Sequence, residues 1–387
     1  MGNTFRTLSV PELRARECAK WRHYPADVLP LWVAEMDFAL ADAIKDALKA
    51  HVDSDDLGYP RPGGMPGLYE VVRDRMAYRH GASFPLEGIG ALGSTVDGMV
   101  LSVRAFTQPG DEVLLLTPLY PPFKRVVTAN DRVPVEVELT RGPERYQLDI
   151  DALKAAITPR TRMLMLCNPH NPLGLMYTRA ELEALAELVL AHDLTVVSDE
   201  LHADISFGGK HVPFAALSPE TAARTITLYG PTKAFNFPGL GICFVLTDSK
   251  DRLQRVMSAG VGSFSHPSRL AEAAAYAAYT RCDDWLEQAL DYLRSNRDRL
   301  VSFVRSELPG VGIHVPEATY LAWLDLRSAG LGDAPAKRLT EVAKVGLNEG
   351  SDFGLGGAGF ARLNFATCQE VLDEALSRLA GALTPAA

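Results

Sequence analysis

The amino-acid sequence predicts an α/β protein, with a large domain built on a mostly parallel sheet and a smaller α+β domain. Three observations support this fold class. Short apolar runs recur through the middle of the chain, amphipathic segments lie between them, and the pattern changes after about residue 280. Alternation of strands with helices is typical of a parallel sheet that is covered by helices.

The predicted strands of the large domain are continuous apolar runs rather than alternating ones. Such runs suit strands that are buried on both faces of a parallel sheet. They are "EVLLL" (112–116), "RMLMLC" (162–167), "LTVVS" (194–198), "TITLY" (225–229) and "ICFVL" (242–246).

A helix is predicted between the second and third of these runs. The segment "TRAELEALAELVLAHD" opens with Thr178 and Glu181 at the spacing of a capping box. One apolar stripe follows along the segment, at helical spacing. The residues of this stripe are Leu182, Leu185, Leu188 and Val189.

The last hundred residues predict an α+β unit. The long amphipathic segment 283–308 predicts a helix, with Asp283 and Asp284 suited to capping its start. Two strand-like runs follow at 319–326 and 360–366, with a helix near 335–347 between them. We expect the irregular N-terminal residues to join this unit, which gives a large domain over 46–279 and a small domain over 1–45 and 280–387.

Composition excludes several classes of function. The chain has 387 residues and a net charge of -9, which argues against binding to a nucleic-acid backbone. No apolar run approaches the roughly 18 residues that span a membrane, and no signal peptide is visible. The five cysteines show no metal-ligand spacing, and Cys167 and Cys243 lie in apolar runs. We therefore predict a cytoplasmic protein with reduced thiols and no metal site.

Polar residues follow several of the predicted strands. Ligands of open α/β sheets bind outside the carboxyl ends of the strands, so these residues are candidates for one site. Ser94, Thr95 and Val96 also precede a helix that we expect to begin near Asp97. The residues just after strands are Tyr120, Asn171, Asp199, His202 and Lys233.

Each of these residues has an ordinary alternative when it is taken singly. Asp199 could cap a helix, Asn171 between prolines could be a turn residue, and Tyr120 could be a packed loop aromatic. A single lysine is most often a solvated surface group, and the "GSTVDG" loop is a weak phosphate-binding signal. Together, however, an amine, a carboxylate, an amide, an aromatic ring and a helix N-terminus collect at one edge of one sheet.

This set meets the chemical needs of pyridoxal 5′-phosphate (PLP). The cofactor's aldehyde needs a lysine, and its pyridine nitrogen needs a carboxylate that keeps it protonated. Its phosphate needs backbone N–H groups at a helix N-terminus. We therefore predict that the chain binds PLP.

The chain also resembles the fold-type I PLP-dependent enzymes, the class I/II aminotransferase superfamily, and within it the cystathionine β-lyase or C–S lyase branch of the MalY/PatB type. The resemblance covers nearly the whole chain. It is carried by "LPLWVAEMDFAL" (29–40), "LGYPRPGG" (57–64), "RAFTQPGDEVLLLTPLYPPF" (104–123), "NPHNPLG" (168–174), "SDELHADI" (198–205), "PTKAFNFPGL" (231–240) and "GFARLNFA" (359–366). It implies the PLP-dependent transferase-like fold, with a seven-stranded, mostly parallel sheet between helices.

The resemblance also implies roles around the cofactor ring. Lys233 would form the Schiff base, and Asp199 would pair with the pyridine nitrogen. Asn171 would hydrogen-bond the phenolate oxygen, and Tyr120 would stack on the ring. His202 lies nearby, at a position where many relatives have tyrosine, and it could instead pack behind the cofactor without touching it.

Other implied roles concern the phosphate and the substrate. Ser94, Thr95 and Val96 would hold the phosphate, aided by Thr232. Tyr59 would reach the phosphate bound to the neighbouring subunit, so that a homodimer shares its active sites.

The substrate would be held by residues outside the large domain. Arg362 would bind the α-carboxylate through a bidentate fork, with Ala34 against the substrate. An arginine on a strand could alternatively serve a buried ion pair.

Three departures from the family pattern bear on the substrate. Gly230 stands where relatives often carry a serine that binds the phosphate, and "GSTVDGM" replaces a more apolar loop. Ser265, His266 and Arg269 stand in a segment where a blander sequence is expected, and they are candidates for the substrate entrance.

Three functions remain open from the sequence. The first is a carbon–sulfur β-lyase that cleaves L-cystathionine or other S-substituted cysteines to a thiol, pyruvate and ammonia. The second is an aminotransferase that acts on an amino acid and a 2-oxo acid. The third is a regulator that uses this fold as an effector-binding module, which the negative charge and the absence of a preceding DNA-binding segment disfavour.

Overall fold

The computed structural model describes residues 4–61, 63–260, 262 and 266–383. Its strands are short and spread along the whole chain. In order they are β1 (Leu29–Pro30), β2 (Ile89–Leu92), β3 (Glu112–Thr117), β4 (Val133–Glu138), β5 (Thr140–Arg141), β6 (Tyr146–Gln147), β7 (Thr161–Cys167), β8 (Thr195–Asp199), β9 (Thr225–Tyr229), β10 (Cys243–Leu246), β11 (Gly312–Ile313), β12 (Leu321–Asp325), β13 (Val345–Gly346), β14 (Asn348–Glu349) and β15 (Phe360–Asn364).

The helices alternate with the strands through the first two thirds of the chain. In order they are α1 (Val10–Arg14), α2 (Ala19–Arg22), α3 (Asp42–Asp53), α4 (Leu68–Arg75), α5 (Thr95–Phe106), α6 (Pro122–Ala129), α7 (Ile150–Ala156), α8 (Arg179–Ala191), α9 (Pro219–Ala222), α10 (Lys250–Ser258), α11 (Arg269–Arg281), α12 (Asp283–Glu307), α13 (Pro335–Val342) and α14 (Gln369–Leu383).

The main sheet has seven strands in the order β2-β10-β9-β8-β7-β3-β4. Its strands pair in parallel from β9 to β4, and β10 runs antiparallel to both of its neighbours. The prediction of a seven-stranded, mostly parallel sheet is therefore confirmed. The five predicted runs match β3, β7, β8, β9 and β10 within one residue at each end.

The apolar runs are continuous because both faces of the sheet are buried. Leu114 and Leu116 of β3 pack in one cluster with the buried side of α8. Val113 and Leu115 alternate with them and pack in a second cluster, against α5 and α6. The capping box of α8 forms as predicted, with Thr178 and Glu181 exchanging backbone and side-chain hydrogen bonds.

The two edge strands were not among the predicted runs, for identifiable reasons. β2 is four residues long and contains glycine. β4 reads "VPVEVE" and is only partly buried, so its pattern is not continuously apolar. Its proline is tolerated because it lies on a strand at the edge of the sheet.

A second sheet, antiparallel throughout, has the order β11-β12-β15-β14. The N-terminal segment is more regular than expected, since α1 and α2 precede β1, which pairs in parallel with β13. The predicted helix near 335–347 ends at Val342. The domain boundaries proposed from the sequence stay a prediction.

Two predicted helix starts need correction. Helix α5 begins at Thr95 rather than near Asp97, because Ser94 is the N-cap and its Oγ accepts a hydrogen bond from the Asp97 N–H at 3.1 Å. Helix α12 starts at Asp283 without a side-chain cap. The carboxylate of Asp283 instead accepts hydrogen bonds from Arg75 and Tyr78.

None of the described helices is both long and apolar enough to cross a membrane. No group of three or more His, Cys, Asp or Glu side chains in the described ranges could hold a metal ion.

Candidate active site

A cavity of about 310 Å³ opens at the carboxyl ends of β7, β8 and β9. The start of α5, the N-terminal segment after β1 and strand β15 complete its walls. Most residues that the sequence singled out line this cavity, which brings together positions far apart in the chain. They are Ala34, Ser94, Thr95, Val96, Tyr120, Asn171, Asp199, His202, Thr232, Lys233 and Arg362.

Tyr59 is the exception among the predicted residues. Its side chain is 100% exposed, and it does not line the cavity of its own chain. The contact of Tyr59 with the phosphate of a neighbouring subunit therefore stays a prediction.

One departure noted in the sequence, the "GSTVDGM" loop, lines the cavity through Gly93, Ser94, Thr95, Val96 and Met99, and the other described departures lie away from the cavity walls. Arg269 forms an ion pair with Asp56 and donates a hydrogen bond to its backbone oxygen at 3.1 Å, and neither Arg269 nor His266 lines the cavity. Ser265 lies outside the described residues. Gly230 does not line the cavity, and a Cβ there would lie 3.1 Å from the Ile242 carbonyl oxygen. A serine at position 230 would therefore need the backbone just before β10 to shift by a few tenths of an ångström.

Lys233 lies four residues after β9, with its amine in the cavity. Its Nζ donates a hydrogen bond to the Ala34 carbonyl oxygen at 2.9 Å. Burial and the nearby Arg362 guanidinium lower the pKa of Lys233 to about 8, although the Asp199 carboxylate acts in the opposite direction. A substantial fraction of this amine is therefore neutral and nucleophilic near physiological pH.

Asp199 is the last residue of β8 and is buried at the cavity wall. Burial raises the pKa of Asp199 to about 6. The hydrogen bond from the Leu201 N–H and the charge of Lys233 lower this pKa, but their effect is smaller than that of burial. Among the described residues its carboxylate accepts one hydrogen bond, from the Leu201 N–H at 3.1 Å. A buried carboxylate with this surplus of acceptor capacity suits a cationic or N–H-bearing ligand group.

Arg362 reaches the cavity from β15. Its side chain is buried and donates to Asn171 Oδ1 at 2.9 Å, the Trp32 carbonyl oxygen at 2.9 Å and Asn348 Oδ1 at 2.6 Å. Burial lowers the pKa of Arg362 to about 10. All of these partners are neutral and Nε has none in the described structure, so the buried-ion-pair alternative lacks its carboxylate. A buried guanidinium of this kind is suited to an anionic ligand.

His202 and the ring of Tyr120 also line the cavity. Burial, with Lys233 and Arg362 nearby, lowers the pKa of His202 to about 3, so this imidazole is neutral. Its ring packs edge-on against Tyr320 at 5.7 Å, and its Nδ1 has no partner in the described chain. The Tyr120 N–H donates to the Asn171 carbonyl oxygen at 3.1 Å, which fixes the tyrosine beside the asparagine.

The first turn of α5 provides a second kind of donor. The N–H groups of the first turn of a helix lack partners within that helix, and the helix dipole favours an anion there. Ser94 uses its Oγ for capping, so Thr95 and Val96 offer their backbone N–H groups at the wall. Thr232 lines the same cavity.

The sequence interpretation missed the part played by the segment from Leu31 to Phe38. The side-chain amide of Asn364 donates to the carbonyl oxygens of Val33 at 2.6 Å and Glu35 at 2.7 Å. Asn236 donates to those of Met36 and Phe38, each at 3.0 Å. The available signal was Asn364, a polar residue at the end of the buried strand "FARLN".

The family model for aminotransferases of class I and II matches residues 26–379. Among curated proteins, cystathionine β-lyase PatB of Bacillus subtilis (strain 168) is 36% identical over 92% of this chain and 93% of its own.

Solved structures agree with that match. OvoB has a TM-score of 0.92 and is 38% identical, with 97% of this chain and 98% of OvoB covered. The PLP-bound C–S lyase from Staphylococcus hominis has a TM-score of 0.90 and is 28% identical, with 96% and 97% covered.

Proposed function

The chain belongs to the class I and II aminotransferase family, and on that premise we propose that it is a PLP-dependent carbon–sulfur β-lyase. Its substrates are L-cystathionine and other S-substituted L-cysteines, which it cleaves to a thiol, pyruvate and ammonia. The observation that carries the proposal is the meeting of Lys233, Asp199 and Arg362 in one cavity, in a chain whose relatives are named as β-lyases.

The residues of the cavity fit PLP. The amine of Lys233 suits the aldehyde, the carboxylate of Asp199 suits the pyridine N–H, and the start of α5 suits the phosphate. When bound, the cofactor supplies an electron sink for the pair left on the substrate Cα. Asp199 maintains that sink by holding a proton at the pyridine nitrogen, where its buried charge has most effect.

Lys233 is suited to move the Cα proton. Its pKa of about 8 places the amine near the pH at which a general base works best. The proton passes from Cα to Nζ, and the electron pair of the Cβ–S bond leaves with the thiolate. The remaining 2-aminoacrylate hydrolyses to pyruvate and ammonia.

Arg362 orients the substrate for this proton transfer. Its unpartnered Nε–H and its Nη N–H groups donate hydrogen bonds to the α-carboxylate, whose charge offsets the cost of burying the guanidinium. Because Arg362 also binds Asn171 and the Trp32 carbonyl oxygen, the carboxylate is held in a fixed place relative to both walls.

The test measures products with S-substituted cysteines in the absence of any 2-oxo acid. We expect equal amounts of thiol, pyruvate and ammonia from the wild-type protein, and no turnover from Lys233→Ala. An aminotransferase, the second candidate that the family supports, would need a 2-oxo acid for repeated turnover and would release a new amino acid. Turnover only with that acceptor would contradict the lyase.

We further propose a homodimer in the cytoplasm. The five thiols of the chain, four of them buried, suit a compartment that keeps thiols reduced. Tyr59 supports the dimer, and a test of it is given below.

A further inference from the structure

Tyr320 adjoins the active site without lining its cavity. Its hydroxyl donates a hydrogen bond to the Ala34 carbonyl oxygen at 3.0 Å, and the same oxygen accepts from Lys233 Nζ at 2.9 Å. The Tyr320 ring also packs edge-on against His202, with the ring centroids 5.7 Å apart. This one side chain therefore contacts two groups of the cavity wall and shares an acceptor with the amine.

The surrounding backbone fixes Tyr320 in this place. The side chain is buried, and the Tyr320 carbonyl oxygen accepts a hydrogen bond from the Phe365 N–H at 3.0 Å. Thr319, directly before it, has a φ of 64°, a left-handed conformation that is rare for a β-branched residue. The Thr319 N–H donates to the Ile205 carbonyl oxygen at 2.9 Å, and its Oγ1 accepts from the Leu321 N–H at 3.1 Å. Strained backbone of this kind persists only where contacts fix it, and it concentrates at functional sites.

The Tyr320 hydroxyl is a proton donor near physiological pH. Burial, with the charge of Glu35 adding to it, raises the pKa of this phenol, although Arg362 acts in the opposite direction. A carbonyl oxygen has two lone pairs and no proton, so the Ala34 oxygen accepts from the hydroxyl and from the amine. The positive end of the O–H dipole lies at the oxygen that binds the ammonium group, so it opposes the charged form of Lys233.

We propose that Tyr320 is a positioning residue for Lys233. Its hydroxyl fixes the Ala34 carbonyl oxygen at the point where the free lysine amine lies, and it weakens the hydrogen bond of that oxygen to the ammonium form. The first effect keeps the free amine in the cavity, and the second increases the neutral fraction that can take a proton. The inference rests on the proposed function for the role of Lys233 as the base that takes the Cα proton.

The other charges around Lys233 come from three different elements. Burial lowers the pKa of Lys233 most, Arg362 of β15 lowers it further, and Asp199 of β8 and Glu35 of the N-terminal segment raise it. Tyr320→Phe leaves all of these groups in place. A change in the titration of the amine therefore reports the lost hydroxyl.

The experiment follows the attachment of PLP to the apoprotein as a function of pH. Samples are reduced with borohydride at set times, and the intact mass gives the rate of attachment, from which the rate in Lys233→Ala is subtracted. Only the neutral amine attacks the aldehyde, so the midpoint of the rise with pH reports the titration of Lys233.

The matched control is a second buried tyrosine. Tyr320→Phe keeps the ring that packs against the neutral His202. Tyr177→Phe also removes a buried hydroxyl, one that is hydrogen-bonded with His170 Nδ1 at 3.0 Å, and neither Tyr177 nor His170 lines the active-site cavity.

We expect the midpoint to rise by about 0.5 to 1 pH unit in Tyr320→Phe, the pKa equivalent of one neutral hydrogen bond. Below the midpoint, the rate of attachment should fall about three- to tenfold, because each pKa unit changes the neutral fraction about tenfold. Tyr177→Phe should keep the wild-type midpoint.

Two further outcomes separate this inference from the proposed function. An unchanged or lowered midpoint in Tyr320→Phe, or an equal rise in both variants, would overturn the inference alone. A raised midpoint only in Tyr320→Phe, in a protein that releases no pyruvate from S-substituted cysteines without a 2-oxo acid, would overturn the lyase and support the placement of the amine by Tyr320.

Discussion

Lys233 is the residue on which the chemistry of the cavity depends. It is the only lysine that lines this cavity in the described structure, and its Nζ lies 2.9 Å from the Ala34 carbonyl oxygen. We predict that Lys233→Ala abolishes covalent attachment of PLP, because no other amine is placed to replace it. The measurement is the mass of the intact protein after incubation with PLP and reduction with borohydride.

The wild-type protein should gain one cofactor mass and the variant none. Lys154→Ala, at an exposed position on α7, serves as the control and should behave as wild type. A variant at position 233 that still gains a single attached cofactor, or stays fully active, would show that another lysine has this role.

Asp199 is a buried carboxyl group whose charge depends on a cationic partner. Burial raises the pKa of this carboxyl group to about 6, so without a cationic partner it is held close to protonation. We predict that Asp199→Asn retains bound PLP but loses about 10²- to 10³-fold in kcat, the scale for removing a preorganised electrostatic group. Bound cofactor is measured by absorbance and turnover by pyruvate release. An unchanged kcat would exclude the role of Asp199 at the pyridine nitrogen.

Among the elements, the segment from Leu31 to Phe38 couples the two sheets. Asn364 of β15 binds its Val33 and Glu35 carbonyl oxygens, and the active-site side chain of Lys233 binds the Ala34 oxygen between them. Movement of this segment would therefore disturb the lysine and the arginine together.

We predict that Asn364→Ala lowers both stability and kcat/KM. Loss of the buried amide leaves backbone groups unpaired, at a cost of about 1–3 kcal/mol for each unsatisfied group. Asn296→Ala is the matched control, because Asn296 is also buried and donates to two backbone oxygens, those of Phe365 and Thr367. Thermal unfolding should show losses in both variants, and kcat/KM well below the unfolding temperature should fall only for Asn364→Ala. Equal kinetic losses would mean that the segment has no special role.

A second element-scale feature lies behind the site, where Asp204 joins the loop after β8 to α4. Its carboxylate binds Arg75 at 3.1 Å, His80 at 3.0 Å and the Tyr229 hydroxyl at 2.8 Å. Burial alone would raise the pKa of Asp204, but Arg75, His80 and Arg79 outweigh it and hold the pKa well below its ordinary range. This ion network fixes the loop that carries His202.

We predict that Asp204→Asn lowers the free energy of unfolding by about 3–5 kcal/mol at neutral pH, because the buried Arg75 loses its buried carboxylate partner and keeps only the partly exposed Asp283. The folded-state pKa is lowered, so the stabilisation is complete above the unfolded-state value of about 4. It then falls by about 1.4 kcal/mol for each pH unit below that value. Denaturant unfolding of both proteins between pH 7 and pH 3 should show the difference shrinking at the acid end. A constant difference across that range would contradict the assignment.

At the scale of the whole molecule, the loop that contains Leu57 and Tyr59 exposes large apolar side chains that no contact within the described chain covers. Leu57 is 58% exposed and Tyr59 100% exposed, and the ion pair of Asp56 with Arg269 anchors the same loop. Neighbouring exposed apolar side chains often mark a protein interface. A two-fold dimer that places Tyr59 at the partner's cofactor would bury them.

We predict that Tyr59→Phe weakens PLP affinity by about 0.5–1.5 kcal/mol if the lost hydrogen bond is neutral, and by up to about 3 kcal/mol if the phosphate charge strengthens it. The sharper test is a mixed dimer of Tyr59→Phe and Lys233→Ala subunits. If Tyr59 acts across the interface, the site that keeps Lys233 receives an intact Tyr59, so it should bind cofactor as tightly as wild type. Binding as weak as in the Tyr59→Phe homodimer would place Tyr59 in its own subunit, and a fully active monomer would remove the shared site altogether.

The sequence by itself determined the sheet and most of the cavity. Strands buried on both faces must be apolar at every position, so β3, β7, β8, β9 and β10 were visible as continuous runs. Strand ends of a parallel sheet meet at one edge, so Tyr120, Asn171, Asp199 and Lys233 could be assigned to one site. Two strands were not predicted. Strand β4 is only partly buried, so it is not continuously apolar, and strand β2 is too short to give a clear pattern.

Tertiary structure alone decided which residues support those groups. The partners of Arg362 and the hydrogen bonds by which Asn364 holds the N-terminal segment join positions distant in sequence. No local pattern encodes such contacts, because they arise only when the two sheets pack against each other. The same holds for the pKa values of Lys233 and Asp199, since the burial that shifts them is a property of the folded chain.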